Sequence, residues 1–140
     1  RNICKFIVLY KGEKYLLVEI LKCKIHRATV TEADLNYVGS LTLDETLMEA
    51  AGLHEFEKIG VLDITNGNRL ETYIIRGERG SGEVCINGAA AHLINKGDLV
   101  IIVSYCQLNQ NDLENHIPKI IHVDDLNQIK NVETEKSRFI

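Results

Sequence analysis

Asn66-Gly67 sits between two strand-like runs, residues 58–64 and 69–76, and commits the middle of the chain to a β-hairpin. Asparagine and glycine tolerate the positive φ that a tight hairpin demands, so Thr65-Asn66-Gly67-Asn68 is a strong turn signal. Short apolar runs parted by glycine-bearing breaks recur on both sides. Residues 3–10 and 15–21 are β-rich and separated by Lys11-Gly12-Glu13-Lys14. Lys22 to His26 alternates with period two, which puts Lys22, Lys24 and His26 on one strand face. Beyond the hairpin, Gly77 to Gly82 reads as a second turn and Glu83 to Ile86 as a strand. Leu99 to Val103 reads as a central buried strand and Lys119 to Val123 as a last one.

Helical signals are few. Thr42-x-x-Glu45 resembles a capping box, Asp44 adds negative charge at the same end, and Leu47, Ala50 and Ala51 offer an apolar face. Gly52 closes a helix predicted over 44–51. Ala89 to Leu93 favours a short helix, and Asp112 to His116 a helical turn that stops before Pro118. Thr31 to Asn36 is polar and loop-like. From Asp124 onward the chain is polar and charged, so a mobile tail is expected. Many short strands with few helices predict a small closed barrel.

With 140 residues there is room for one domain. The net charge of −4, with Lys and Arg scattered among acids, offers no stripe for phosphate backbones, and no nucleic-acid partner is expected. Phe6 to Tyr10 and Leu99 to Val103 are strand-sized and far short of a membrane span, so no membrane partner is expected either. Cys4, Cys23, Cys85 and Cys106 form no Cys-x-x-Cys pair and suit a reducing compartment. Arg1 to Tyr15 lacks the small-residue cleavage site of a secretory signal, and a targeting or remnant segment stays open there. His54, His92, His116 and His122 have no metal-site spacing, and Gly77 to Gly82 lacks the lysine-serine ending of a phosphate loop.

Tyr37-Val38-Gly39-Ser40 could carry chemistry. A serine hydroxyl is a weak nucleophile unless activated or strained, and Gly39 opens backbone geometries closed to other residues. The hydroxyl could then add to the Gly39 carbonyl, exchange the amide for an ester, and lose the ester by β-elimination. Taken alone, a Gly-Ser step is an ordinary turn. Tyr73 alone is a half-buried strand tyrosine, Lys24 a solvated strand lysine, and Arg69 a turn-flanking arginine. Gly88-Ala89-Ala90-Ala91 alone is a tight packing turn, and His26 a structural histidine.

The frame around these residues is more specific. Lys24-x-His26-Arg27 precedes Gly39-Ser40; Thr65-Asn66-Gly67-Asn68-Arg69 and Glu71-Thr72-Tyr73 follow. Glu78-Arg79-Gly80-Ser81 and Asn87-Gly88-Ala89-Ala90-Ala91-His92 come next. In order and spacing these blocks resemble pyruvoyl-dependent aspartate 1-decarboxylases, from about Leu17 to Pro118. The resemblance implies a six-stranded double-psi β-barrel with short helices over residues 16–123. An N-terminal extension (1–15) and a polar tail (124–140) flank it. It implies autocatalytic cleavage between Gly39 and Ser40, with Ser40 becoming a covalent pyruvoyl group whose ketone takes the amino group of L-aspartate as a Schiff base. Neither a metal nor pyridoxal phosphate is expected.

By the same resemblance, Tyr73 reprotonates the product carbanion and Arg69 and Lys24 hold the two carboxylates. Thr72 contacts the Gly39 carbonyl during cleavage and later lies beside the substrate. Gly88, Ala89 and Ala90 present backbone N–H groups to it, while Asn87, His26 and Tyr37 support processing or wall the pocket. The products are β-alanine and CO2, in pantothenate biosynthesis. The working form is a cytoplasmic homotetramer, with a maturation factor left open because Val38 is uncharged where some relatives carry an acid. Two other readings stay open: an uncleaved binding or regulatory module without activity, and a pyruvoyl decarboxylase for another amino acid.

Overall fold

A computed structural model describes residues 16–134. The strand expected at 3–10 and the proposed extension lie outside the described residues. Among the described residues nine strands form one sheet: β1 (Leu17–Thr29), β2 (Glu32–Asp34), β3 (Leu41–Asp44), β4 (Lys58–Asp63), β5 (Arg69–Gly77), β6 (Val84–Asn87), β7 (Leu99–Asn109), β8 (Lys119–Val123) and β9 (Ile129–Glu133). Their hydrogen-bonded order is β2-β6-β3-β5-β4-β7-β1-β8-β9. The expected mainly β architecture is present. The expected count of six strands is not, and the ladder runs from edge to edge without closing.

The sheet is nevertheless strongly curled. In a flat sheet β2 and β1 would lie about 30 Å apart. Only Val30 and Thr31 connect them, a reach of roughly 11 Å. The seam is stitched where Val30 N–H donates to the Asp98 carbonyl and Thr31 N–H to that of Val84, both at 2.9 Å. The Thr31 hydroxyl accepts from Val84 N–H at 2.9 Å. Inside lies one apolar core that includes Ile25, Leu41, Leu43, Ile74, Ile86 and Ile102, all fully buried.

The hairpin predicted around Asn66-Gly67 forms as β4–β5, with Lys58 opposite Tyr73 and Leu62 opposite Arg69. From Leu17 onward, the two runs read as residues 15–21 and 22–26 are one strand, β1. Its period-two pattern buries Cys23 and Ile25 and leaves Lys22, Lys24 and His26 half-buried on the other face. Burial pushes the Cys23 thiol up to about 11, so it stays protonated. Strand β7 is central, between β4 and β1, and runs on to Asn109.

Helix α1 (Glu45–Ala51) forms where expected, and Gly52 ends it in the left-handed conformation. Its cap is Asp44 rather than Thr42, because Thr42 belongs to β3, paired with Ile75 and Cys85. Leu47, Met48 and Ala51 are its buried face, each contributing of the order of 1–3 kcal/mol by leaving water.

Two polar segments differ from expectation. Glu32–Asp34, within the expected loop, pairs in parallel with β6. The segment after Asp124 is no mobile tail as far as Thr134: β9 pairs with β8, and Asn127 is buried. The Asn127 amide oxygen accepts from Thr29 N–H, and its amide nitrogen donates to the carbonyls of Thr29 and Gly82, all at 2.8 Å. Residues 89–93 and 112–116 are expected as helical turns; 3-10 segments occupy Gly88–His92 and Gln110–Asn115.

Candidate active site

Strand register assembles the site. β3 starts at Leu41, which lies opposite Ile74 in a parallel pair with β5 and opposite Ile86 in an antiparallel pair with β6. One residue earlier, Ser40 therefore falls beside Tyr73 on one flank and Asn87 on the other. Asn87 N–H donates to the Ser40 carbonyl at 2.9 Å and fixes that register.

The segment before Ser40 is a cramped loop. Asn36 N–H donates to the Asp34 carboxylate at 2.9 Å, and Gly39 N–H turns back onto the Tyr37 carbonyl at 2.9 Å. Gly39 has φ +44° and Ser40 φ +85°. A serine at positive φ carries backbone strain of about 1–3 kcal/mol, which the surrounding pairing must offset. Ser40 is 3% exposed, and its hydroxyl donates to the Gly39 carbonyl.

Gly39, Ser40, Thr72, Tyr73, Asn87, Ala89 and Ala90 share one cavity of about 320 Å3. A β-carbon placed on Gly39 would lie 3.3 Å from the Tyr73 hydroxyl oxygen, so the phenol reaches the Gly39–Ser40 bond. Asn87 is buried, with its amide nitrogen donating to the Thr42 hydroxyl at 2.9 Å and its amide oxygen accepting from the Cys85 thiol at 3.1 Å. Gly88 packs behind the loop rather than lining the cavity, at φ +64°.

Four further expected site residues are not brought in. Tyr37 has a largely exposed side chain and offers its carbonyl to Gly39 instead. Arg69 is exposed at the start of β5. Lys24 lies on β1, away from the cavity lining. His26 lines a different cavity of about 570 Å3 together with Arg27, His122 and Glu133. Its ring meets that of His122 edge to face at 5.6 Å, and burial followed by the Lys24 charge lowers its pKa.

Three lining residues were not among the expected site residues: Leu70, Glu71 and Leu93. Glu71 is ion-paired with Lys58 at 3.1 Å. The Leu93 carbonyl accepts from the side-chain amides of both Asn66 and Asn68, at 2.9 and 2.8 Å. The hairpin turn thus reaches across to the cavity wall. Its Asn-x-Asn spacing was visible in the sequence, but the acceptor was not.

Among the described residues no group of side chains could hold a metal ion. None of the helices there is long and apolar enough to cross a membrane. The residues that do converge can bring a hydroxyl onto an adjacent amide carbonyl beside a phenol and a buried amide.

The family model for aspartate decarboxylase matches residues 16–130. An aspartate 1-decarboxylase of Caldicellulosiruptor saccharolyticus is 62% identical over 114 residues, 81% of this chain and 89% of the relative. One of Corynebacterium efficiens is 60% identical over 114 residues, 81% and 84% of the two chains. One of Acetivibrio thermocellus is 54% identical over 121 residues, 86% and 96%. With strained Gly39-Ser40, Tyr73 and Asn87 around one cavity and a match over most of its length, this chain belongs to the aspartate decarboxylase family.

Proposed function

We propose that this protein is an aspartate 1-decarboxylase that cleaves itself between Gly39 and Ser40 and converts L-aspartate to β-alanine and CO2. The observation that carries this reading is the Ser40 hydroxyl bonded to the Gly39 carbonyl, with both residues at positive φ. The group that must be attacked is already in contact with its attacker. Such intramolecular placement supplies effective concentrations of about 10⁵ M and more.

The Ser40 oxygen bonds to the Gly39 carbonyl carbon, the C–N bond breaks, and the proton passes to the released nitrogen. Loss of the Ser40 α-proton then expels the Gly39 carboxylate. Water replaces the nitrogen, which departs as ammonia, and residue 40 is left as a pyruvoyl group. The surroundings fit that group: small Ala89 and Ala90 face it, and the backbone N–H of Asn87 holds its carbonyl end. Once formed, the group supplies an electron-withdrawing carbonyl to the α-carbon of a bound amino acid.

The chain's own residues do the rest. Tyr73 holds a proton where the Gly39–Ser40 bond had been, and a phenol is acid enough to protonate a carbanion. Thr72 and the backbone of Ala89 and Ala90 orient the substrate. Among the described residues the cavity lining has no cation, whereas aspartate brings two carboxylates. Lys24 and Arg69 are the clamps we assign to them, delivered across subunits of a homotetramer. We read the curled sheet as a double-psi barrel with further short strands at its edges, and β-alanine as a pantothenate precursor.

Intact-mass analysis after prolonged warming is the test. Two fragments, residues 1–39 and 40–140, are expected, the second without a free α-amino group, together with β-alanine formed from L-aspartate. A full-length mass and no decarboxylation would favour an uncleaved binding module. A preference for glutamate over aspartate would overturn the substrate assignment.

A further inference from the structure

Asp63 is the one acid on an inward-facing stripe. β4 alternates so that Ile59, Val61 and Asp63 all point into the core, and Asp63 is 3% exposed. A buried carboxylate is costly unless its oxygens are met. One Asp63 oxygen accepts from the N–H groups of Thr65 and Asn66, at 2.8 and 3.1 Å, and so locks the hairpin turn. The other is buried without a conventional donor. It meets a second buried carboxyl, that of Asp98, which accepts from Asn95 N–H at 3.0 Å and locks the turn before β7.

These two turns are tied directly together. Ile64 N–H donates to the Leu99 carbonyl at 2.8 Å, and Leu99 N–H to the Thr65 hydroxyl at 3.0 Å. From the first turn, Asn66 and Asn68 reach the carbonyl of Leu93 on the cavity wall. Two carboxyls facing each other in the core can share one proton; once both ionise they repel across the joint.

We propose that Asp63 and Asp98 are a positioning pair whose shared proton fastens the Asn66–Asn68 turn, and through it the Leu93 wall, to the Ser40 cavity. Burial, and after it the hydrogen bond from Asp98, push Asp63 up to about 6. Thr65, Asn66 and Asn68 of the hairpin turn, and Asn95 and Leu99 of the facing turn, are uncharged. Of the nearby cations, Lys96 is taken by Glu32 at 3.5 Å and Arg69 is exposed. The raised value means that folding favours the protonated pair. Its stabilisation is fully present below the ordinary aspartate range near 4 and is lost as the pH rises through about 6.

Asp63→Asn separates this role from a merely structural one. Its amide oxygen can still accept from Thr65 and Asn66, and its NH2 supplies Asp98 with a permanent donor. Thermal midpoints of wild type and variant are read without substrate from pH 5 to 8. The wild type is expected to lose about 4 °C or more relative to Asp63→Asn as the pH passes 6. Asp98→Asn is the second variant should the first fold poorly. The role of the pair at the site rests on the decarboxylase reading, so KM for L-aspartate is followed over the same range. A rise of about threefold is expected in wild type and a flat profile in Asp63→Asn, with kcat changing in parallel in both. Parallel melting curves overturn the shared proton, and parallel KM profiles overturn its link to the cavity. A wild type that neither cleaves nor decarboxylates overturns the decarboxylase reading instead, and the melting curves still judge the pair.

Discussion

Gly88 lies so close beneath Gly39 that a β-carbon on it would sit 3.0 Å from both the nitrogen and the α-carbon of Gly39, and 3.2 Å from the Tyr37 carbonyl oxygen. The atoms in the way are backbone, which cannot swing aside, and Gly88 also has φ +64°. Gly88→Ala must therefore push the Tyr37–Ser40 loop outward. We expect cleavage at Gly39–Ser40 to slow by at least about tenfold, since near-attack geometry tolerates little displacement. Time-resolved intact mass checks this, and cleavage at the wild-type rate would show that the contact is not needed.

Ser40→Ala removes the hydroxyl held on the Gly39 carbonyl. The chain should remain full length after warming and form no β-alanine from L-aspartate. The substitution removes no packing atom beyond Oγ, so the circular dichroism spectrum should match wild type. β-Alanine formation by this variant would remove the basis of the proposed function.

Tyr73→Phe separates cleavage from turnover. The ring stays in the cavity wall, while the hydroxyl near Gly39 is lost. On the proposed function, its proton is needed only after CO2 departs. We expect cleavage to proceed and kcat to fall by about 10²–10⁴, the usual worth of a positioned acid. Stopped assays on the fully cleaved variant read this, and an unchanged kcat would reassign the proton donor.

What the sequence made legible follows how locally each feature is determined. The Asn66-Gly67 hairpin needs two residues in a row, and it forms as read. The Gly39-Ser40 site was legible because its partners occur in recognisable blocks, although register alone brings Tyr73 and Asn87 to its flanks. Glu32–Asp34 and Ile129–Glu133 were not legible as strands, being polar and set by pairing with β6 and β8 far along the chain. Asn127 is the clearest instance: it looks like a tail residue, yet it is bonded to Thr29, 98 positions away. Lys24 and Arg69 were read as carboxylate clamps from the resemblance, while one chain leaves them out of the cavity lining.

Asp44 ends β3, four residues after Ser40, and its carboxylate accepts three backbone N–H bonds. Thr46 donates at 2.8 Å to cap α1, and Gly80 and Gly82 donate at 2.9 and 2.8 Å to hold the glycine-rich turn. Burial acts to raise its pKa, but the bonds from Gly82, Thr46 and Gly80 outweigh it and leave the carboxyl below the usual aspartate range. A carboxyl lowered by folding stabilises the native state when ionised. Its contribution is present above the ordinary aspartate value near 4 and is lost as the pH falls through the lowered native value. Asp44→Ala leaves the helix uncapped and two turn N–H groups without their acceptor, at a cost of about 2–3 kcal/mol. Denaturant midpoints should show that loss at pH 7 and a smaller gap at pH 2.5, below the ordinary aspartate range near 4. An equal gap at both pH values would mean that the side chain acts by packing and not through its charge.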